Sequence, residues 1–178
     1  MRRFLVMFVV LLALAFAFEL TPFAQAHVVT PWTDAVASAS AGLMRMFDAT
    51  ITTHGNVIAS STNPFAVSIE AGCNGVEATL VLLAAMLAFP APWRSKALGL
   101  VAGIVVGVVA VQALNVARVI SLFYLGRYDR DVFEWAHLYV WQALIMLDVL
   151  VVWLVWVRTL PRDDAPRAPP PGATGAPA

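Results

Sequence analysis

A thiol and four ionisable side chains sit where an apolar chain least accommodates them: Cys73, Glu77, Arg118, His137 and Asp148. Ionisable groups inside or at the edge of a bilayer are costly, so each needs a partner or a task. Three of them make a coherent chemical set. A cysteine thiolate is a nucleophile. An imidazole within reach can take the thiol proton and later protonate a leaving amine. A fixed guanidinium can hold the oxyanion of a tetrahedral intermediate. Cys73, His137 and Arg118 therefore suit acyl transfer. Glu134, just before His137, is placed to orient the imidazole. Asn74 reads as a helix N-cap with Glu77 as its capping-box partner. A helix opening at Cys73 would turn its positive end toward the thiol and favour the thiolate.

Each residue also has a plainer reading. A lone membrane cysteine is commonly an inert packing residue. Arg118 can pair with Glu77 as a structural ion pair, and His137 can be an interfacial residue with no task. Asp148 lies about three helical turns beyond His137, on the same face, where a bundle-facing carboxyl would find a hydrogen-bond partner. His27 and His54 are too separated to resemble a metal site. One cysteine makes no internal disulfide, Cys-rich metal site or two-cysteine redox relay. No metal or cofactor is expected.

The elements that must position these residues follow from composition. Of 178 residues, 61% are hydrophobic and 12% charged, whereas soluble domains are about half apolar and a quarter charged. That excludes a soluble enzyme, a disordered protein and a nucleic-acid binder. A net charge of zero leaves no global field to recruit a polyanion. Four apolar runs predict an all-α, four-span bundle, at about 4–26, 73–91, 97–125 and 138–157. Residues 1–160 form one membrane domain, and the Pro/Ala-rich tail 161–178 is expected to be disordered. Arg2, Arg3, Arg94, Lys96, Arg158, Arg162 and Arg167 are seven of the eleven basic residues. They fall at the termini and the Pro90–Lys96 turn, which places both termini in the cytoplasm. Arg2-Arg3, the first run and Ala24-Gln25-Ala26 equally fit a secretory signal with a cleavage site. Cleavage would leave three spans of unchanged orientation. Gly99, Gly103 and Gly107 recur every four residues, which suits close helix packing.

The outer loop 27–72 carries its own signals. Val36, Leu43, Met44 and Phe47 fall at helical spacings within 32–47, which predicts an amphipathic interfacial helix. Val57–Ser60 and Phe65–Ile69 flank the turn Ser61-Thr62-Asn63-Pro64 and predict a β-hairpin leading to Cys73. Its edge can pair with an extended peptide, or it can be only a lid. Helical rise carries Cys73 about 24 Å, Arg118 about 30 Å and His137 about 28 Å from the cytoplasmic side. Three antiparallel neighbours thus bring the thiol, guanidinium and imidazole to one level, the outer edge of the bilayer.

At these residues the chain resembles the exosortase/archaeosortase family of membrane cysteine transpeptidases. The matching pieces are Ala71-Gly72-Cys73-Asn74-Gly75-Val76-Glu77-Ala78, then Asn115-Val116-Ala117-Arg118, then His137 heading the last span. Phe89-Pro90-Ala91-Pro92-Trp93-Arg94 and His137-Leu138-Tyr139-Val140-Trp141-Gln142 look most like the short exosortase H subtype. The resemblance covers about Phe65 to Arg158. It implies an enzyme of a bacterial inner membrane with its site facing the periplasm. Its partners would be exported proteins ending in a short motif, a hydrophobic span and a basic tail, and an acceptor of unknown identity. Two other classes stay open. A non-catalytic scaffold would leave the outer polar residues unconverged. A small transporter would continue polar residues past Gln112, Arg118 and Asp148 to the other side, but 97–111 is wholly apolar.

Overall fold

The computed structural model describes residues 2–90 and 93–160, with the side chains of 93–98 left aside. The expected tail 161–178 and part of the Pro90–Lys96 turn lie outside the described residues. Helix α1, Arg2–Glu19, stops just before Thr21-Pro22. Pro22 cannot extend the preceding helix but suits the first turn of the next. Thr21 Oγ1 accepts from Ala24 N–H at 3.2 Å and caps that turn. The chain bends by 68° and continues as α2, Pro22–Arg45. The first apolar run is therefore broken near residue 20 rather than continuing as one rod to Ala26. A π turn, Gln25–Val29, interrupts α2.

The buried stripe of α2 is Val36, Ala37, Ser40, Ala41 and Met44. Leu43 and Phe47, expected on that stripe, are 46% and 71% exposed. Leu43 sits about 100° around the helix from Met44, and Phe47 lies past the helix end. Three short strands follow, not a lone hairpin: β1 Ile51–His54, β2 Val57–Ser60 and β3 Ala66–Ser68, antiparallel in the order β1-β2-β3. The β2–β3 hairpin around Asn63-Pro64 is as expected. The added strand is joined by Gly55-Asn56, with Gly55 at φ 57°, a two-residue turn that needs positive φ.

Helix α3 spans Val76–Ala88, so it opens three residues after Cys73. Gly75 stands before it at φ 76°. A Cβ there would lie 2.7 Å from Gln112 Nε2, so glycine is required for both conformation and space. Helix α4 is Trp93–Tyr128. Asp129 caps α5, Arg130–Thr159, accepting from Asp131 N–H at 2.8 Å and Val132 N–H at 3.1 Å. A second π turn, Ala136–Val140, lies inside α5. Two stretches, Gly99–Tyr128 and Arg130–Thr159, are long and apolar enough to cross a membrane; the bent α1–α2 pair makes a third if counted as one span. Helix α3 is apolar but shorter.

Two cores result. At the sheet end, Val36, Met44, Ile51, Ile58, Ile69, Val119 and Phe123 join α2, the sheet and α4, with Cys73 packed at their margin. At the far end, Leu82, Met86, Val111, Ile145, Val149 and Trp156 join α3, α4 and α5. The four-residue glycine spacing works as expected. Trp156 Nε1–H donates to Gly99 O at 2.8 Å. A Cβ on Gly103 would fall 2.1 Å from Trp156 Cδ1, and one on Gly107 2.8 Å from Leu82 Cδ2. An apolar groove of about 500 Å³ runs along this end, far from the titratable cluster.

Candidate active site

The turn 72–75 is fixed from three directions. Gly72 N–H donates to Glu77 Oε1 at 2.5 Å, and Cys73 N–H donates to Glu70 O at 2.9 Å. Asn74 is fully buried. Its Oδ1 accepts from Val76 N–H at 3.0 Å, and its Nδ2 donates to Thr33 Oγ1 of α2 at 2.9 Å. Trp32 Nε1–H donates to Asn74 O at 3.3 Å. The N-cap is Gly75, with no side-chain cap, rather than the expected Asn74, and Glu77 reaches back to Gly72 instead of closing a capping box; Asn74 and Glu77 brace the turn ahead of α3. Glu77 is used on Gly72, and the alternative ion pair with Arg118 is not formed.

Arg118 is 3% exposed. Its Nη1–H donates to Gly72 O at 3.1 Å, and its Nη2–H donates to Cys73 Sγ at 3.6 Å. From α5, His137 Nε2 stands 4.0 Å from the same sulfur. The thiol, guanidinium and imidazole expected at one level therefore meet at one point. A 4.0 Å contact is long, as proton-transfer contacts often are before substrate binds. His137 lies within the π turn Ala136–Val140, a local irregularity frequent at functional sites.

Glu134 does not orient the imidazole. It pairs with Arg130 at 3.3 Å, both largely exposed. The ring is held instead by Phe133, stacked at 5.7 Å and 3°. Phe133 was missed in the sequence, although an aromatic four residues ahead of a histidine on one helix is a readable signal. Gln112 was also undervalued as a support: Nε2 donates to Gly75 O and Thr79 Oγ1, both at 3.1 Å. Asn115 is fully buried, and neither amide atom has a hydrogen-bond partner among the described residues. Asp148 is half-buried away from the cavity, and the extra residue of the π turn removes it from the His137 face. His27 accepts from or donates to nothing near Cys73; its Nδ1 stands 3.0 Å from Phe23 O. Among the described residues, no three His, Cys, Asp or Glu side chains are grouped to hold a metal ion.

Burial pushes the Cys73 thiol above its usual range; Arg118 opposes this, and Glu77 and Glu70 add to it. The expected help from a helix N-terminus is weak because α3 starts further on. The sulfur therefore rests mainly as a thiol and needs a base to react. A cavity of about 220 Å³ opens in front of it, with residues 67–71 on one side and Val119, Leu122 and Phe133 on the other.

A mostly helical chain with membrane-length apolar helices and a cysteine-centred polar cluster at one end defines a polytopic membrane protein with a candidate thiol site. The chain belongs to the transmembrane exosortase family (Exosortase_EpsH), whose model matches residues 2–155, from the start of α1 to within the last turns of α5. No curated protein and no solved structure matches it.

Proposed function

We propose that this chain is a membrane cysteine peptidase or transpeptidase that cleaves C-terminal sorting signals of exported proteins. The observation that carries this is the convergence of Arg118 and His137 on the only cysteine, at 3.6 and 4.0 Å. His137 takes the thiol proton as Sγ attacks the scissile carbonyl, forming the C–S bond. Arg118, anchored on Gly72 O, carries a second N–H that turns from the sulfur to the new oxyanion. Collapse breaks the C–N bond, and His137 returns the proton to the leaving amine, leaving a thioester. An amine or water then attacks, and the thiol is regenerated. Family membership supports this reaction class.

The finer topology belongs to the same proposal. Four crossings with both termini cytoplasmic, in a bacterial inner membrane, put the Cys73 cavity at the periplasmic face. Polar side chains meeting around one sulfur fit a scaffold protein poorly, and Gln112, spent on Gly75 and Thr79, lines no path for a transporter. The test is co-expression with exported proteins from the same genome that end in a motif, an apolar span and a basic tail. Processing should occur with the wild type and vanish with Cys73→Ala, while the variant inserts normally. Full processing by Cys73→Ala would refute the nucleophile.

A further inference from the structure

Strand β3 is an edge: the sheet order β1-β2-β3 gives it a neighbour on one side only. Which of its main-chain groups face out follows from the ladder. Ile69 N–H donates to Asn56 O at 2.9 Å, and the register pairs Ile58 with Val67 and Val57 with Ser68. Bonded and non-bonded pairs alternate along an antiparallel ladder. Val67 therefore spends its N–H and C=O groups on β2, and Ile69 spends its own on Asn56 just ahead of β2, whose Nδ2 donates to Ile69 O at 3.0 Å, while Ala66 and Ser68 direct theirs away from it.

The outward side of this edge faces the cavity of the thiol. Successive strand residues point to opposite faces, so a pocket lying under one face would touch alternate residues. Here the adjacent strand residues Val67 and Ser68 both line it, and Ile69, Glu70 and Ala71 continue the lining past the end of β3, so the cavity follows the main chain from the middle of the strand toward Cys73, with Ala66 outside it. It ends at Cys73, Arg118 and His137. Phe65, at the head of β3, fixes the strand to the helices: its ring packs on Phe123 and Phe133, with centroids at 5.9 and 6.1 Å. Opposite the edge stand the apolar side chains of Val119 and Leu122.

We propose that the acyl-donor peptide binds as an added strand along the outer edge of β3, hydrogen-bonded to the outward main-chain groups of Ser68, with an apolar side chain against Val119 and Leu122. This rests on Cys73 being the nucleophile, and it adds how the scissile carbonyl is brought to it. Strand addition gives affinity through main-chain bonds and selects side chains at alternate positions. The occupant is therefore an extended peptide with an apolar residue near the scissile bond.

The test uses the full chain in lipid nanodiscs and two reagents for Cys73: iodoacetamide and an acetylated apolar tetrapeptide chloromethyl ketone. Ser68→Pro removes an outward N–H and leaves the β2 ladder intact; it should slow peptidyl labelling about two- to tenfold, the worth of one hydrogen bond. Iodoacetamide labelling should not change. Ser68→Ala loses the hydroxyl that accepts from Asn56 Nδ2 at 3.1 Å and donates to Glu70 Oε1 at 2.5 Å but keeps the main-chain N–H, so Ser68→Pro should label with the peptidyl probe more slowly than Ser68→Ala does. Normal peptidyl labelling of Ser68→Pro overturns the proposal. Should Ser68→Pro alter iodoacetamide labelling as well, the wild type with probes bearing one ester in place of each amide in turn decides. Losses at alternating positions support strand addition, and a flat profile overturns it. The nucleophile itself fails on a different result, normal processing by Cys73→Ala.

Discussion

Arg118→Lys separates the charge beside the sulfur from the fork that delivers it. The guanidinium makes two bonds at once, to Gly72 O at 3.1 Å and to Cys73 Sγ at 3.6 Å. A lysine ammonium on a flexible stem reaches one of these points, not both in fixed geometry. Losing one charge-assisted bond costs about 1.5–3 kcal/mol, which is about 10- to 150-fold in rate if that bond is made in the transition state. Arg118→Gln loses the charge too, and the expected loss rises to about 10²–10³-fold, as for an oxyanion-hole donor. The two variants should part in thiol reactivity. Burial pushes the Cys73 thiol up and Arg118 holds it down. Removing the cation therefore moves the pH profile of iodoacetamide alkylation to higher pH, whereas Lys keeps it close to wild type. The assay pairs that profile with single-turnover formation of the thioester, followed by mass spectrometry in detergent. An Arg118→Lys protein that acylates at the wild-type rate would refute the oxyanion role, and an unmoved profile in Arg118→Gln would refute the electrostatic one.

Three further outcomes follow from packing and charge. In Gly126→Ala the new Cβ would lie 2.0 Å from Phe65 Cζ, so the ring must shift; overpacking of this kind costs about 1–3 kcal/mol, read as a lower melting temperature in detergent. Because Phe65 packs on Phe133, which stacks on His137, turnover should fall further than stability. Glu134→Gln should leave turnover within error of the wild type, since its partner is the exposed Arg130; a large loss would restore it as an imidazole orienter. Asp48 is held below its usual range by hydrogen bonds from Thr50, with Arg127 adding to them at 2.8 Å. A carboxylate depressed on folding contributes stability above its unfolded pKa and loses it as pH falls through its folded pKa. Asp48→Asn should flatten the acid limb of melting temperature against pH.

Much of the site was legible because bilayers make ionisable residues conspicuous. Cys73, Arg118 and His137 stood out by type, and helical rise placed them at one level before any contact was known. Rise alone does not give azimuth. Glu134 was expected to serve His137, but the imidazole is steadied by a neighbour's ring, and the carboxylate turns outward to Arg130. The thiol was expected to profit from a helix end. Gly72 and Gly75, both at positive φ, instead fold a turn that places Cys73 ahead of α3 and leaves it half-buried. The strand Ile51–His54 was missed because the Gly55-Asn56 turn was passed over, although β-branched residues beside such a dipeptide are a hairpin signal. The break at Thr21-Pro22 was masked by unbroken hydropathy on both sides, even though proline marks it.

The π turn in α5 has a consequence for angular phase. His137 and Trp156 are nineteen residues apart, which in a regular helix at about 100° per residue leaves them about 100° out of phase after five turns. One residue absorbed by a turn that closes to i+5 leaves about eighteen effective steps, or five whole turns. His137 at one end and Trp156 at the other then point to the same neighbour: the first stands beside Cys73 and Arg118, and the second lies against the glycines of α4. The same helix can therefore be locked for packing at its far end and aimed for chemistry at its near end. Removing a single residue from Ala136–Val140 would leave the packing end seated and swing the imidazole off the sulfur.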